Sequence, residues 1–180
     1  MSFDIFFAPC RYGSKPVKQK NPFTGKEESV LPNETLTVAE LEAVRELLKR
    51  ANAPAPDAYG CYFVEFDDGG GAEIFGRDLS KGCMVAVRGI TPIFLQFLID
   101  LLKAGNWVMC PAMEDNIAVT CSPECLKGVP DDFPKVVICN SADELGVLLS
   151  DGFLAWKKYR DVVSSAVEKD EKKKNRRGHK

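Results

Sequence analysis

Histidine is almost missing from this sequence. The only one among the 180 residues is His179, next to the last position. Imidazole is the usual general base of hydrolases and a common ligand of zinc and iron. Because a histidine in a terminal tail cannot serve a folded site, we exclude Ser-His-Asp and Cys-His hydrolysis and histidine-ligated metals.

Long apolar runs are missing as well. No stretch approaches the roughly 20 apolar residues that a membrane-spanning helix requires. The start of the chain, Met1-Ser2-Phe3-Asp4, lacks the basic region of a signal peptide. We therefore expect a cytoplasmic protein with no membrane partner.

Structural zinc sites normally use two pairs of closely spaced cysteines, each of which we call a hook. This sequence does not provide two complete hooks. The chain has seven cysteines, an odd number, and most lie inside apolar runs such as Cys61-Tyr62-Phe63-Val64. Cys121 and Cys125 form one imperfect hook, with Cys110 and Cys139 on neighbouring strand candidates, but a second hook is missing. We expect seven unpaired, packed thiols rather than a metal site, and no cofactor.

Positive charge is scarce outside the tail. Residues 168–180 carry seven basic and three acidic side chains, a net charge of +4, so residues 1–167 carry −2 − 4 = −6. An acidic body does not suit a phosphate backbone, so nucleic acid is an unlikely partner for it. The run Lys172–Arg177 resembles a targeting or nucleic-acid patch, but its acidic neighbours favour a solubilising tail. We expect one domain over 1–167 and a flexible tail over 168–180.

Three helical regions have recognisable start signals. Thr37 to Glu40 matches a capping box, and Val38, Leu41, Val44 and Leu48 follow it at helical spacing. Thr91-Pro92 opens a second helix that ends at Gly105. Its apolar residues leave almost no polar face, which predicts a central, buried helix.

The third helical region begins at a second capping box, Ser141 to Glu144, and is interrupted at Ser150-Asp151-Gly152. Beyond the break, the apolar residues of a longer helix are Phe153, Trp156, Tyr159, Val162 and Val163.

Seven short runs rich in β-branched and aromatic residues predict strands. They cover residues 3–7, 59–66, 72–75, 83–87, 107–110, 117–121 and 135–139. The residues 13–32 have no apolar periodicity and predict a long loop or an irregular hairpin. Short, glycine-rich connections favour an α+β fold with a mostly antiparallel sheet.

Three segments occur in a familiar order: Phe3-Asp4-Ile5-Phe6-Phe7, then Ala72-Glu73-Ile74-Phe75-Gly76, then Ala104 to Met113. Over roughly residues 3 to 134 the chain resembles a group of small, uncharacterised bacterial proteins. The resemblance implies a shared architecture and a bacterial source. It implies no activity, cofactor or catalytic residue.

Acidic residues in two predicted loops are the candidate binding site. They are Asp67, Asp68, Glu73, Glu114 and Asp115. We expect them to attract a basic protein, as in a regulatory or toxin-neutralising binding module without enzymatic activity. The alternative is a carboxylate-based, Mg²⁺-dependent enzyme that acts without histidine. The sequence Asp67-Asp68-Gly69-Gly70-Gly71 predicts a hairpin turn rather than a phosphate-binding or calcium-binding loop.

Four aromatic residues could line a ligand pocket, but their spacing favours packing in the core instead. They are Phe94, Phe97, Trp107 and Trp156.

Overall fold

The computed structural model describes residues 3–11, 13, 15–20, 25–30, 32, 34–112, 117–128, 135–150, 152–155 and 157–158. The strands are β1 (Phe3–Pro9), β2 (Val17–Lys20), β3 (Glu27–Val30), β4 (Cys61–Glu65), β5 (Gly71–Phe75), β6 (Cys83–Gly89), β7 (Trp107–Pro111), β8 (Ile117–Thr120) and β9 (Lys135–Ile138). The helices are α1 (Val38–Arg50), α2 (Pro92–Ala104) and α3 (142–150). Residues 79–81 and 123–128 form short 3₁₀ segments. The predicted charged tail lies outside the described residues.

Seven strands form one sheet in the order β4-β5-β6-β1-β7-β8-β9, and β2 and β3 form a separate hairpin. Each neighbouring pair in the large sheet is antiparallel except β8 and β9, which run parallel. The predicted α+β class with a mostly antiparallel sheet is confirmed. The first strand lies in the centre, between β6 and β7, because the chain returns to pair on both of its edges.

The helix α1 begins as its capping box predicts. The Thr37 side chain accepts a hydrogen bond from the Glu40 backbone N–H, and the Glu40 carboxylate accepts one from the Thr37 N–H at 2.8 Å. Its buried residues are Val44, Leu47 and Leu48. The prediction that Val38 belongs to the buried face is wrong: Val38 is 75% exposed, since the first turn extends past the core.

The helix α2 is the most deeply buried of the three helices. Thr91 caps it, Pro92 occupies its first position, and the ring of Trp107 lies under its end at Gly105. Seven of its thirteen residues are buried, so the predicted central helix is confirmed. They are Phe94, Leu95, Phe97, Leu98, Ile99, Leu101 and Leu102. Ile93, in the first turn of α2, is the exception among its large apolar residues and is 48% exposed.

The second capping box forms only in part. The Ser141 hydroxyl accepts from the Glu144 N–H at 3.2 Å, but the Glu144 carboxylate accepts from Asn140 instead of Ser141. Leu145 and Leu149 bury the inner face of α3, and residues 152–155 are also helical. Asp151, at the centre of the predicted interruption, lies outside the described residues. The ring of Phe153 packs edge-on against Phe3, with 5.7 Å between ring centroids. The remaining apolar residues predicted for this last helix, Trp156, Tyr159, Val162 and Val163, lie outside the described residues.

One ion pair ties the end of β1 to the start of α1. The Arg11 guanidinium donates to both carboxylate oxygens of Glu40, at 3.0 Å for Nη1 to Oε1. The hydrogen bond from Arg11 lowers the pKa of Glu40 to about 2, against the opposing effect of burial. Glu40 therefore serves both as capping residue and as the partner of Arg11. Among the described helices, none is long and apolar enough to cross a membrane.

Truncation inside α2 should strongly destabilise the protein. Replacing Phe97 or Leu98 by Ala removes buried surface and leaves a cavity, which costs roughly 2–5 kcal/mol of unfolding free energy. The matched control is Ile93→Ala in the exposed first turn, which should cost less than about 1 kcal/mol. Urea unfolding followed by circular dichroism measures all three. Equal losses at Ile93 and Leu98 would contradict the observed burial.

The Arg11–Glu40 pair should make stability depend on acid. The pKa of Glu40 in the folded state lies below its unfolded value, so the ionised carboxylate stabilises the fold above about pH 4.5. This stabilisation is lost as the pH falls through about 2. Glu40→Gln keeps an oxygen for the Thr37 N–H but removes the charge. We expect the variant to be less stable than the wild type at pH 7 and nearly equal to it at pH 2, measured by urea unfolding. A pH-independent difference would show that the charge of Glu40 does not stabilise the fold.

Candidate interaction surface on the open face of the sheet

The two sides of the large sheet have different neighbours. Strand side chains alternate between the sides. On one side, residues such as Ile5, Val85 and Met109 join the helices in the main buried cluster. On the other side, which we call the open face, none of the helices α1 to α3 covers the sheet.

A row of apolar side chains crosses the open face. Phe75 of β5 lies beside Met84 of β6, Met84 beside Phe6 of β1, and Phe6 beside Cys110 of β7. Four adjacent strands at about 4.8 Å spacing make this row about 14 Å long. Phe6 is 50% exposed and Phe75 is 38% exposed. We call these four residues the aromatic row.

Phe63 of the edge strand β4 enlarges the apolar surface beside the aromatic row. Its side chain is 60% exposed, and it pairs across the strands with Glu73. Glu73 accepts a hydrogen bond from the Arg88 guanidinium at 2.6 Å, so it is already ion-paired on the open face. The exposed Glu65 lies further along β4, two residues beyond Phe63. Aromatic and acidic side chains thus alternate at this corner of the sheet.

Asp68 has a structural task at the tip of the β4–β5 hairpin. Its carboxylate accepts hydrogen bonds from the Thr91 hydroxyl at 2.8 Å and from the Ile93 N–H at 3.2 Å, and so helps to cap α2. It also accepts from the Gly70 N–H within the turn. A side chain at Gly70 is sterically forbidden, since a Cβ there would stand 2.0 Å from the Thr91 hydroxyl oxygen. Glycine lets the hairpin approach the helix this closely.

The environment of Asp68 favours its charged form. The loss of solvation is the largest single effect and raises its pKa, but the hydrogen bonds from Thr91, Gly70 and Ile93 together lower it more. The net effect is a pKa below the usual value. A low pKa here reflects helix capping and not a poised acid or base.

The predicted acidic site is only partly assembled. Asp67 is exposed at the hairpin tip, Asp68 is engaged in capping, and Glu73 is paired with Arg88. Glu114 and Asp115 lie outside the described residues, so their proximity to the others stays a prediction. A shallow depression of about 260 Å³ joins Glu65 and Glu73 to the glycines of the turn. The five predicted residues do not act alike, because two of them already have partners within the chain.

The prediction that all seven cysteines are unpaired is wrong. Cys10, just after β1, forms a disulfide with Cys125 of the 3₁₀ segment Pro123–Gly128, with Cα atoms 5.0 Å apart. Sequence spacing gave no sign of this pair, since 115 positions separate its members. Cys121 joins the main cluster on the helix side, whereas Cys125 belongs to a small cluster on the open face. The sheet therefore separates the two cysteines of the supposed metal hook.

The five other cysteines are free thiols. Burial raises the pKa of Cys83 and raises the pKa of Cys121 to about 11. Such thiols carry little thiolate at neutral pH and react slowly. Among the described residues, no group of three or more His, Cys, Asp or Glu side chains could hold a metal ion.

A second depression, of about 460 Å³, lies between α1 and α2. Its apolar floor includes Leu47, Phe66 and Phe97. Its one carboxylate, Asp100, accepts a hydrogen bond from the Gln96 amide at 2.9 Å. Acid–base catalysis by carboxylates normally needs a pair of them whose pKa values are driven apart. The depression therefore gives no support to the carboxylate enzyme.

The chain matches no known family model, and neither a curated protein nor a solved structure is significantly similar to it. The resemblance to small bacterial proteins thus stays a prediction.

Sequence reasoning missed the aromatic row. The alternation in Phe3-Asp4-Ile5-Phe6-Phe7 places Phe6 on the face of the strand opposite to Ile5, but the run by itself predicts only a strand and not an exposed aromatic side chain. A signal was available, since Phe6, Phe63 and Phe75 are each out of phase with the core residues Ile5, Val64 and Ile74 next to them in sequence. The strand order that brings them together could not be obtained from the sequence.

The different tasks of Asp67 and Asp68 can be tested by substitution. Asp68→Ala should lower the urea midpoint of unfolding, because Thr91 and the first turn of α2 lose their acceptor. Asp67→Ala, one position earlier and exposed, should leave the midpoint unchanged. The deficit of Asp68→Ala should shrink at acid pH as wild-type Asp68 becomes protonated. Equal midpoints for the two variants at pH 7 would show that Asp68 is not a capping residue.

Proposed function

We propose that this protein is a non-enzymatic protein-binding module and that the open face of its sheet is the binding surface. The observation that carries the proposal is the exposure of Phe6, Phe63 and Phe75 on one rigid face. Contiguous exposed apolar surface is uncommon on monomeric proteins and is typical of interaction sites. Phenylalanine is also enriched in the centres of protein interfaces.

Rigidity favours this surface as a docking site. Phe6 and Phe75 lie on strands that are hydrogen-bonded on both sides, and the opposite face of the sheet is packed against α2. Strand residues held in this way lose little conformational freedom when a partner binds. The aromatic row is thus pre-organised.

Charge indicates what kind of partner fits. The body of residues 1–167 carries −6, and the exposed carboxylates Glu65 and Asp67 lie at the hairpin end of the open face. Arg88, the cation beside them, is already neutralised by Glu73. The partner that complements this surface is a basic protein with an apolar contact region, guided to it by long-range attraction.

Binding should depend on the exposed phenylalanines. A partner recovered from the source cell with the full-length protein is purified, and its affinity is measured by calorimetry. Phe6→Ser and Phe63→Ser should each weaken binding at least tenfold, about 1.4 kcal/mol or more, because each removes exposed apolar contact area from the surface. Both side chains are at least half exposed, so the fold should tolerate the changes.

The matched control is Val147→Ser, which removes an apolar side chain that is 77% exposed on α3, on the opposite side of the protein. It should bind normally. The pair Glu65→Lys and Asp67→Lys should slow association, and the difference from wild type should disappear at high salt. A captured protein that binds the phenylalanine variants as tightly as the wild type would contradict the proposal.

A further inference from the structure

The Pro123–Gly128 segment covers one part of the open face and leaves the rest uncovered. Its Cys125 packs on Val108 of β7 and Ala118 of β8, together with Cys10, in a small cluster separate from the main core. Val108 and Ala118 belong to the open face, because their neighbours Met109 and Val119 point into the main core. Ala118 is fully buried beneath the segment.

The covered part adjoins the aromatic row. Cys110, the last residue of the row, packs against the small cluster. The row therefore stops where the segment begins. Without the segment, the apolar surface would continue from Phe6 across β7 to Ala118 on β8.

The segment has few ties of its own to the rest of the molecule. Its hydrogen bonds between described residues are local, from the Glu124 and Cys125 N–H groups to Ser122. Cys125 does contact residues distant in sequence: it is bonded to Cys10, and its sulfur lies 3.3 Å from the Asn106 side-chain oxygen. A disulfide sulfur has no hydrogen to donate, so this last contact is van der Waals only.

We propose that the Cys10–Cys125 disulfide is a redox-controlled fastening that holds the Pro123–Gly128 segment on the open face. Reduction of this disulfide by a dithiol releases the segment and enlarges the exposed apolar surface. In this reaction one thiolate of the dithiol attacks a disulfide sulfur, and the second thiol resolves the mixed disulfide. The dithiol becomes a disulfide, and two electrons and two protons pass to Cys10 and Cys125. This regulation rests on the proposed function of the open face.

The fastening can be tested without any partner. Intact mass after alkylation under denaturing conditions should show five modified cysteines in the untreated full-length protein and seven after reduction with dithiothreitol. Hydrogen exchange is then compared in both states. We expect exchange of the Pro123–Gly128 amides to rise at least tenfold on reduction, while the α2 amides stay protected. Binding of an apolar dye should increase severalfold.

The double variant Cys10→Ser/Cys125→Ser should show the same exchange and dye binding as the reduced wild type, with no response to dithiothreitol. The matched control is Cys110→Ser, which alters the same cluster but keeps the disulfide and should keep the response. If the double variant fails to fold, reduction of the wild type still decides the matter. Seven alkylated cysteines without reduction, unchanged exchange of the segment, or loss of α2 protection on reduction would each overturn the proposal. None of these readouts depends on partner binding, so failure of the proposed function would be seen separately, in the phenylalanine variants.

Discussion

The packing of α2 against one side of the seven-stranded sheet is the constraint on which the rest of the structure depends. A helix with buried residues around most of its circumference needs cover on several sides. The sheet supplies the floor, α1 and α3 lie on the same side, and the ring of Phe66 closes over Phe97 at 5.5 Å between ring centroids. Because the helices are gathered around α2, the other side of the sheet is left open. The exposed phenylalanines follow from this one-sided arrangement.

The same constraint assigns tasks to polar groups that would otherwise be free. The start of α2 must satisfy its unpaired backbone N–H groups, and the nearby hairpin provides Asp68 for this purpose. Glu40 has a comparable position at the start of α1, where Arg11 joins it. A carboxylate in such a position contributes to the fold through its charge, which leaves less of the acidic surface available for a partner. Net charge alone therefore overstates how many carboxylates of the surface are unpaired.

The cysteines show that a sheet can place two thiols that are close in sequence on opposite sides of the structure. Cys121 and Cys125 are only four positions apart in sequence, yet the chain changes direction between them, just after the end of β8. One thiol then packs under α2, near the Ile99 carbonyl, and the other crosses to Cys10 on the open face. A metal ion needs ligands that converge on one point, so Cys121 and Cys125 cannot bind one metal ion together. The disulfide instead decides how much of the open face is accessible.

Local sequence determined the elements of this protein, and tertiary structure decided its surface. The capping box at Thr37, the Thr91-Pro92 start and the β-branched runs specify helices and strands because each signal acts within one or two turns of the chain. The placement of β1 between β6 and β7, the parallel pair of β8 and β9 and the Cys10–Cys125 bond depend on contacts between distant segments. No local sequence pattern specifies which distant segments come into contact. The exposed phenylalanines are the clearest case: strand alternation fixes the orientation of Phe6, Phe63 and Phe75, but only the strand order brings them onto one surface.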